Sequence, residues 1–389
     1  MATELIATTR TRVLALMEAS SVTGPAKNLI GFCRWAHSAQ GAGAGLQISI
    51  ATYVRGAAGA SQGFVDAARA AGITTHVIRE RGRFDRSIFA QLAYIVAQAA
   101  PHLIQTHNTK SHLLLRHLRR ASTVPWIAFQ HGYQDTDLKL HLYNQLDRWT
   151  LRSADRVVSV CRAFTARLIA YGVREQRIRV LHNSVMPAAT VTEEAQAALK
   201  GQLGIVADEA VILAIGRLSG EKGHADLIDA LHHMPPASRR WKMLIVGDGP
   251  EKARLERLVA ARGLTDRVVF VGFRPQVEAY YAIADVFVLP SHSEGSSNVL
   301  LEAMAARVPI AATSVGGTPE IVADGDTALL TAAGDSPALG RSLQRLLAQR
   351  DFAAGLAERA GTRALTHFSP ERYRGALTEI YSDALARDD

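Results

Sequence analysis

The sequence predicts an α/β protein built from two doubly wound, Rossmann-like parallel-sheet domains, on three observations. Short apolar runs rich in Val, Ile and Leu alternate with amphipathic stretches along the chain. Strands buried on both faces of a parallel sheet read as such continuous runs, and the amphipathic segments between them are the covering helices. The alternation lapses across residues 187–210, a polar and alanine-rich stretch, and then begins again. Finally, 389 residues suffice for two domains of ordinary size, each with its own core.

In order, the expected strands of the first half are VLALME, QISIATYV, THVI, LIQTH, WIAFQHG, RVVSV and IRVLHN. Those of the second half are AVILAIG, KMLIVGD, VVFVG, VFVLPS and PIAAT. This divides the chain into a first domain over 1–190, a linker over 191–209, a second domain over 210–367 and a closing segment over 368–389. In that last segment, FSPERYRGALTEIYSDAL, Ser369 suits an N-cap and Pro370 the first helical position, where a missing N–H breaks no bond. Ligands of doubly wound sheets sit beyond the carboxyl ends of the strands, in a cleft between two such domains. The loops that follow strands are therefore where function is sought.

Composition narrows the class. A hydrophobic share of 48% with 21% charged residues is that of a globular protein. No apolar run approaches the ~20 residues of a membrane-spanning helix, and the first twenty residues lack the pattern of a secretory leader. Cys33 and Cys161 are too few for a disulfide framework and lack metal-ligand spacing, so a reducing cytoplasm is the expected setting. The net charge is +8, with a local cluster at Arg116, His117, Arg119 and Arg120. That cluster reads either as a solvated helix face or as attraction to phosphorylated ligands or the inner face of an anionic membrane. No aromatic–basic interleaving points to nucleic acid.

The most informative segment is SHSEGSSNVLLEAMAARVPIAATSVGGTPEIV, Ser291 to Val322. It puts Glu294 in a loop that opens a helix, Glu302 on that helix, and Gly316-Gly317 in a turn beyond it. Both carboxylates can accept hydrogen bonds from sugar hydroxyls. Between them the helix start offers free N–H groups to an anion such as a pyrophosphate. A second constellation lies after the strand AVILAIG, where Arg217 and Lys222 are set among Gly216, Gly220 and Gly223. Two cations in a strand-to-helix loop can stabilise negative charge developing on a leaving phosphate. Sugar hydroxyls and phosphates held together suggest a protein that handles sugar nucleotides.

The pair of glutamates separated by seven residues resembles the retaining family 4 glycosyltransferases (glycosyl transferases group 1) of the GT-B fold. The likeness extends through GRLSGEKGHADLIDAL, MLIVGDGPEKARLERL and VVFVGFRPQVEAYYAIADVFVLPS, and more loosely through SSVTGPAKNL, LIQTHNTKSHLL, WIAFQHGYQ and VLHNSV. The resemblance implies that Gly216, Arg217 and Lys222 hold the donor phosphates, that Glu294 grips the transferred sugar and that Glu302 grips the ribose. It adds Phe273, Arg274 and the backbone at Ser297, Asn298 and Val299 as donor contacts. In the first domain it implies donor contact at Gly24, a catalytic histidine at His131, and acceptor contacts at Lys27 and His107. Two departures stand out. Ser296-Ser297-Asn298 replaces a bulkier Phe-Gly pair, and a single Gly24 stands where two adjacent glycines are common. A closing helix of this family crosses back onto the first domain, which is expected here over 368–389.

Asp135-Thr136-Asp137 has the form of a metal-binding Asp-x-Asp motif. In the GT-B frame the Arg–Lys pair takes the metal's electrostatic role, so no metal and no other cofactor is expected. No carboxylate of the first half is spaced as a nucleophile or general base. The resemblance therefore implies front-face attack of an acceptor hydroxyl on a UDP- or GDP-sugar with retention. The acceptor would be a saccharide or lipid-linked glycan of the cell envelope or an exopolysaccharide. The competing readings are a GT-B sugar-nucleotide epimerase or phosphorylase, and a non-catalytic sugar-nucleotide-binding partner protein. A Rossmann dehydrogenase is disfavoured because Gly247-Asp248-Gly249-Pro250 lacks the third glycine of the dinucleotide turn.

Overall fold

The computed structural model describes residues 10–41, 45–55, 63–82, 85–119, 123–132, 138–234 and 240–386, the side chains of 138–142 excepted. The chain forms two units, Met1–Asn183 with Tyr373–Asp389, and Ser184–Arg372.

The first unit is a parallel sheet of seven strands: β1 (Thr11–Leu16), β2 (Leu46–Arg55), β3 (Thr75–Glu80), β4 (Leu103–Thr106), β5 (Trp126–Gln130), β6 (Arg156–Ser159) and β7 (Ile178–Val180). Their order is β3-β2-β1-β4-β5-β6-β7. Helices α1 (Gly24–His37), α2 (Gly63–Ala70), α3 (Ser87–Ala99), α4 (Thr109–Leu118), α5 (Leu138–Leu151) and α6 (Arg162–Ala170) connect them. The central strands explain why their sequences are apolar throughout. In β1, Val13 and Ala15 enter one core while Leu14 and Leu16 enter the other, so neither face meets water.

The second unit repeats the plan with six strands: β8 (Ala210–Ile215), β9 (Trp241–Val246), β10 (Val268–Gly272), β11 (Val286–Leu289), β12 (Ile310–Thr313) and β13 (Leu329–Thr331). The order is β10-β9-β8-β11-β12-β13. Its helices are α7 (Glu193–Gln202), α8 (His224–His232), α9 (Lys252–Ala261), α10 (Glu278–Ile283), α11 (Asn298–Ala305), α12 (Thr318–Ile321), α13 (Ser336–Ala348) and α14 (Arg350–His367). In each sheet the chain winds outward from one central strand, then returns to that strand's other side. The two reversals, between β1 and β4 and between β8 and β11, open crevices at carboxyl strand ends.

Two elements differ from the sequence reading, and a third follows it. The stretch expected as a linker contains α7, capped by Thr192, whose Oγ1 accepts from Ala195 N at 3.3 Å, and Leu199 and Leu203 pack on the second unit's core. Strand β13, three residues long, was not anticipated; Ala311 to Thr313 of β12 pair with it. Helix α15 (Pro370–Leu385) closes the chain, with Ser369 Oγ accepting from Arg372 N at 3.4 Å as the capping argument expects. Its Leu377, Ile380, Tyr381 and Ala384 complete the core under β1 and α1 of the first unit. Among the described residues no helix is long and apolar enough to cross a membrane.

Candidate active site

In the second unit the β8/β11 crevice is built by two loops, Gly216–Gly223 after β8 and Pro290–Ser297 after β11. Glycine is required where they meet. Gly223 has φ +66°, and a Cβ there would overlap the carbonyl oxygen of Pro290. Gly316, φ +51°, would collide with the carbonyl oxygen of Glu294. These close approaches lace the loops together: His292 N donates to Glu221 O at 2.8 Å, and Gly317 N donates to Glu294 O at 3.1 Å. The turn after β9 supports the first loop from below. Leu218 N bonds Asp248 O, and Glu251 N bonds Leu218 O, each at 3.0 Å. Gly247-Asp248-Gly249 thus serves the Gly216–Gly223 loop as a backbone prop.

At the centre, Lys222 Nζ donates to Glu294 Oε1 at 2.6 Å, with side chains 25% and 7% exposed. Ser291 Oγ, fully buried, donates to the same oxygen at 2.6 Å. Ser291 in turn is held by Thr313 of β12, whose hydroxyl donates to its carbonyl. Beside the pair, burial and the nearby Lys222 charge push His224 down to about 4, so its ring is neutral at neutral pH. Arg217, at the start of the loop, is exposed.

One turn into α11, Glu302 Oε2 accepts from the phenol of Tyr281 at 3.2 Å, and the same phenol donates to Val299 O at 3.0 Å. Burial first, and then the Glu302 charge, raise the Tyr281 phenol well above its usual range, so it remains a donor. Helix α11 begins at Asn298 with no side-chain cap from Ser297. The buried Asn298 Oδ1 has no hydrogen-bond partner, an acceptor of the kind a ligand hydroxyl satisfies. Phe273 and Arg274 follow the edge strand β10; Phe273 is exposed and its carbonyl takes a bond from Arg274 Nη1 at 3.0 Å.

In the first unit, Gly24 opens α1 after the β1 loop, and Lys27, exposed, donates its backbone N–H to Thr23 O at 2.8 Å. His107 and His131 end adjacent strands β4 and β5 and are brought together. Their rings stack at 5.5 Å, and His107 Nδ1 lies 3.2 Å from His131 Nε2. Gln105 Nε2 lies 3.1 Å from His107 Nε2, and the phenol of Tyr381 on α15 donates to Gln105 Oε1. The directions of this chain are determined by its ends. Because the Gln105 amide accepts from Tyr381, its NH₂ donates to His107 Nε2; His107 then carries its proton on Nδ1 and donates to His131 Nε2. His131 accordingly carries its own proton on Nδ1. Burial lowers both histidines, His131 to about 4; charge on His131 and His112 further disfavours protonation of His107, and charge on His112 that of His131. The Asp135-Thr136-Asp137 motif and Arg120 lie outside the described residues. Among those described, no group of three or more His, Cys, Asp or Glu could hold a metal.

Sequence reasoning named Lys222, Glu294 and Glu302 as candidates but not Ser291, Tyr281, Gln105 and Tyr381, which the structure shows bonded to those groups and to the histidine pair. Two parallel doubly wound sheets, one with a Lys–Glu pair at its topological switch point, define the GT-B class. Comparison with known proteins carries this to a family. Residues 195–364 match the family described as Glycosyl transferases group 1, and residues 39–188 match Glycosyltransferase Family 4. Over these two regions, each less than half of its length, the chain is similar to the family 4 glycosyltransferases. It is 33% identical over 64% of its length to a 2-deoxystreptamine glucosyltransferase of Streptomyces kanamyceticus, of which the match covers 65%. It is 29% identical over 60% of its length to the lipopolysaccharide core biosynthesis glycosyltransferase LpsE of Rhizobium meliloti (strain 1021), again covering 65%. The matched part thus spans just under two thirds of each of these relatives. A crystal structure of Anabaena Alr3699/HepE in complex with UDP-glucose aligns with 96% of this chain and 100% of its own at TM-score 0.84 and 21% identity, a likeness of fold.

Proposed function

We propose that this chain transfers a sugar from a UDP- or GDP-sugar to a hydroxyl of a glycan or glycolipid, with retention of configuration. The donor is bound by the second unit and the acceptor mainly by the first. The observation that carries the reading is the Lys222–Glu294 pair at the β8/β11 switch point. It sets a phosphate-seeking cation beside a hydroxyl-accepting carboxylate.

In the reaction the bond from the anomeric carbon to the β-phosphate oxygen breaks. Lys222, joined by the exposed Arg217, neutralises the charge that gathers on that oxygen. Glu294 accepts from hydroxyls of the transferred sugar through the lone pairs that Lys222 and Ser291 leave open. Glu302, held by Tyr281, accepts from the ribose, and the orphan Asn298 Oδ1 takes a further hydroxyl. The acceptor oxygen attacks the same face of the sugar, and its proton passes to the departing phosphate oxygen. His131, neutral and protonated on Nδ1, contributes a hydrogen-bond donor. With two cations at the phosphate, no metal is required. The names of two relatives, a 2-deoxystreptamine glucosyltransferase and a lipopolysaccharide core biosynthesis glycosyltransferase, support a hydroxyl acceptor of the glycan type.

A thermal-shift series with UDP, GDP, ADP and their sugars tests the donor class, since binding to the folded state alone raises stability. A shift with one uridine or guanosine set and turnover undiminished by EDTA are expected; no shift with any nucleotide refutes the reading. Lys222→Ala is expected to lower kcat about 10²–10³-fold, the loss typical of one oxyanion donor.

A further inference from the structure

At the amino edge of the first unit's sheet, opposite the edge that bears His107 and His131, lies a cavity of about 1120 Å³. Pro125, Asp155 and Gln176, which come just ahead of β5, β6 and β7, form its floor. The described lining residues contribute five guanidinium groups, from Arg116, Arg119, Arg156, Arg174 and Arg177, against two carboxylates, Asp155 and Asp383.

Both carboxylates are already engaged. Arg119 Nη2 pairs with Asp155 at 3.0 Å. Asp383 takes Arg156 at 2.9 Å and Arg179 at 2.6 Å, which hold its carboxyl below the usual range. Arg177 spends its bonds on backbone carbonyls, those of Arg152 at 3.4 Å and Ala154 at 3.3 Å. Those bonds orient the guanidinium without neutralising it. Arg174 is exposed at the mouth. Arg116 lies 3.3 Å from the ring centroid of Trp149, which is half exposed. Pre-oriented guanidinium forks beside surplus positive charge in a concave site match the oxygens of a phosphate.

We propose that this cavity is a second anion site, separate from the donor-phosphate loop, that binds a phosphate or pyrophosphate group through Arg174 and Arg177 beside the Arg116–Trp149 stack. Two carriers share that chemistry, a soluble phosphorylated metabolite and a phospholipid headgroup. The surface next to the cavity bears on the second. Tyr143, Leu146 and Trp149, three residues apart on α5, are 44%, 41% and 50% exposed, an apolar and aromatic stripe of interfacial character.

The test uses the full chain carrying Arg217→Ala and Lys222→Ala, which silences the donor loop, with Arg174→Gln and Arg177→Gln added or not. Inorganic pyrophosphate is titrated by calorimetry. Phosphatidylcholine vesicles, with and without phosphatidylglycerol, are tested by co-sedimentation. Binding of pyrophosphate in solution, weakened about tenfold or more by the two glutamines, supports the site with a soluble carrier. Binding only to vesicles containing phosphatidylglycerol, lost with the same substitutions and weakened by Trp149→Ala, supports it with a lipid carrier. If neither probe binds, or if binding survives Arg174→Gln with Arg177→Gln, the proposal is overturned. The same two glutamines in the otherwise unaltered chain should leave the nucleotide thermal shift intact, which separates this outcome from misfolding and from failure of the donor-site reading.

Discussion

Tyr381→Phe isolates the polar chain that ends at His131. The substitution removes one oxygen from a side chain 1% exposed and leaves Gln105 Oε1, itself buried, without its donor. An unsatisfied buried acceptor costs about 1–3 kcal/mol. For a unit of this size that corresponds to a fall of about 2–4 °C in Tm for each kcal/mol. The more diagnostic effect is on protons. With Tyr381 present, the Gln105 amide has one satisfied orientation, and His107 and His131 are both held with the proton on Nδ1. Without it, either amide orientation leaves one buried group unpaired, so the two become close in energy. In the flipped orientation Oε1 faces His107 Nε2, which must then be protonated, and His131 must donate from Nε2 in turn. Long-range proton–nitrogen NMR of the histidine side chains at neutral pH reads this directly. The unaltered protein should show neutral rings with Nδ1–H, and Tyr381→Phe a mixture. An unaltered protein with His131 protonated on Nε2, or charged, refutes the reasoning, as does a variant with unchanged tautomers.

Three further outcomes follow from the donor side and from acid. Tyr281→Phe deletes the bond that orients Glu302, and a single such bond of about 1 kcal/mol predicts a roughly fivefold rise in donor KM with kcat little changed; a fall in kcat alone would assign Tyr281 elsewhere. Gly316→Ala sets a Cβ against the Glu294 carbonyl at φ +51°, with backbone strain of about 1–3 kcal/mol, and should abolish the nucleotide-sugar thermal shift while Ala substitution at the open Gly325 does not. His131 and His224 both titrate near 4 in the fold against an ordinary 6.5, so the unfolded chain binds the extra protons. Their contribution to stability is therefore complete above about pH 6.5 and is lost as pH falls towards 4. Urea midpoints at about pH 7 and pH 5 should converge in His224→Gln, and an unchanged difference would remove that histidine from the acid response.

What the sequence made legible follows from which interactions are local. Continuous apolar strands announce a two-faced sheet because Val13 to Leu16 of β1 and Ala210 to Ala214 of β8 enter cores on both faces, and twelve of the thirteen described strands were anticipated on that ground. The exception, β13, has three residues and joins the sheet through β12 alone, too little for a pattern. Helix α7 escaped for a related reason. Leu199 and Leu203 are its packing contacts on the core, so its composition resembles a solvated tether although its cap is a Thr followed by two acids.

The same distinction separates the site residues that were found from those that were missed. Lys222, Glu294 and Gly316 act through backbone placed by their own loops, and their spacing along the chain carries the signal. Tyr281, Gln105 and Tyr381 act through side chains that reach across elements, 276 residues apart in the case of Tyr381 and Gln105, whereas Ser291 acts within the loop it shares with Glu294. Tyr281, Gln105 and Tyr381 sit among apolar residues where a hydroxyl or amide is indistinguishable, by pattern, from a core position. Their effect is nonetheless on the chemistry. A carboxylate with two oxygens can bind both a cation and a sugar only if the cation is confined to one of them. Ser291 and Lys222 converge on Glu294 Oε1, and in the proposed reaction that convergence leaves Oε2 for the sugar hydroxyls. Losing Ser291 should therefore impair sugar discrimination before it impairs phosphate binding: Ser291→Ala is expected to keep its UDP-induced thermal shift while losing the additional shift that the sugar provides.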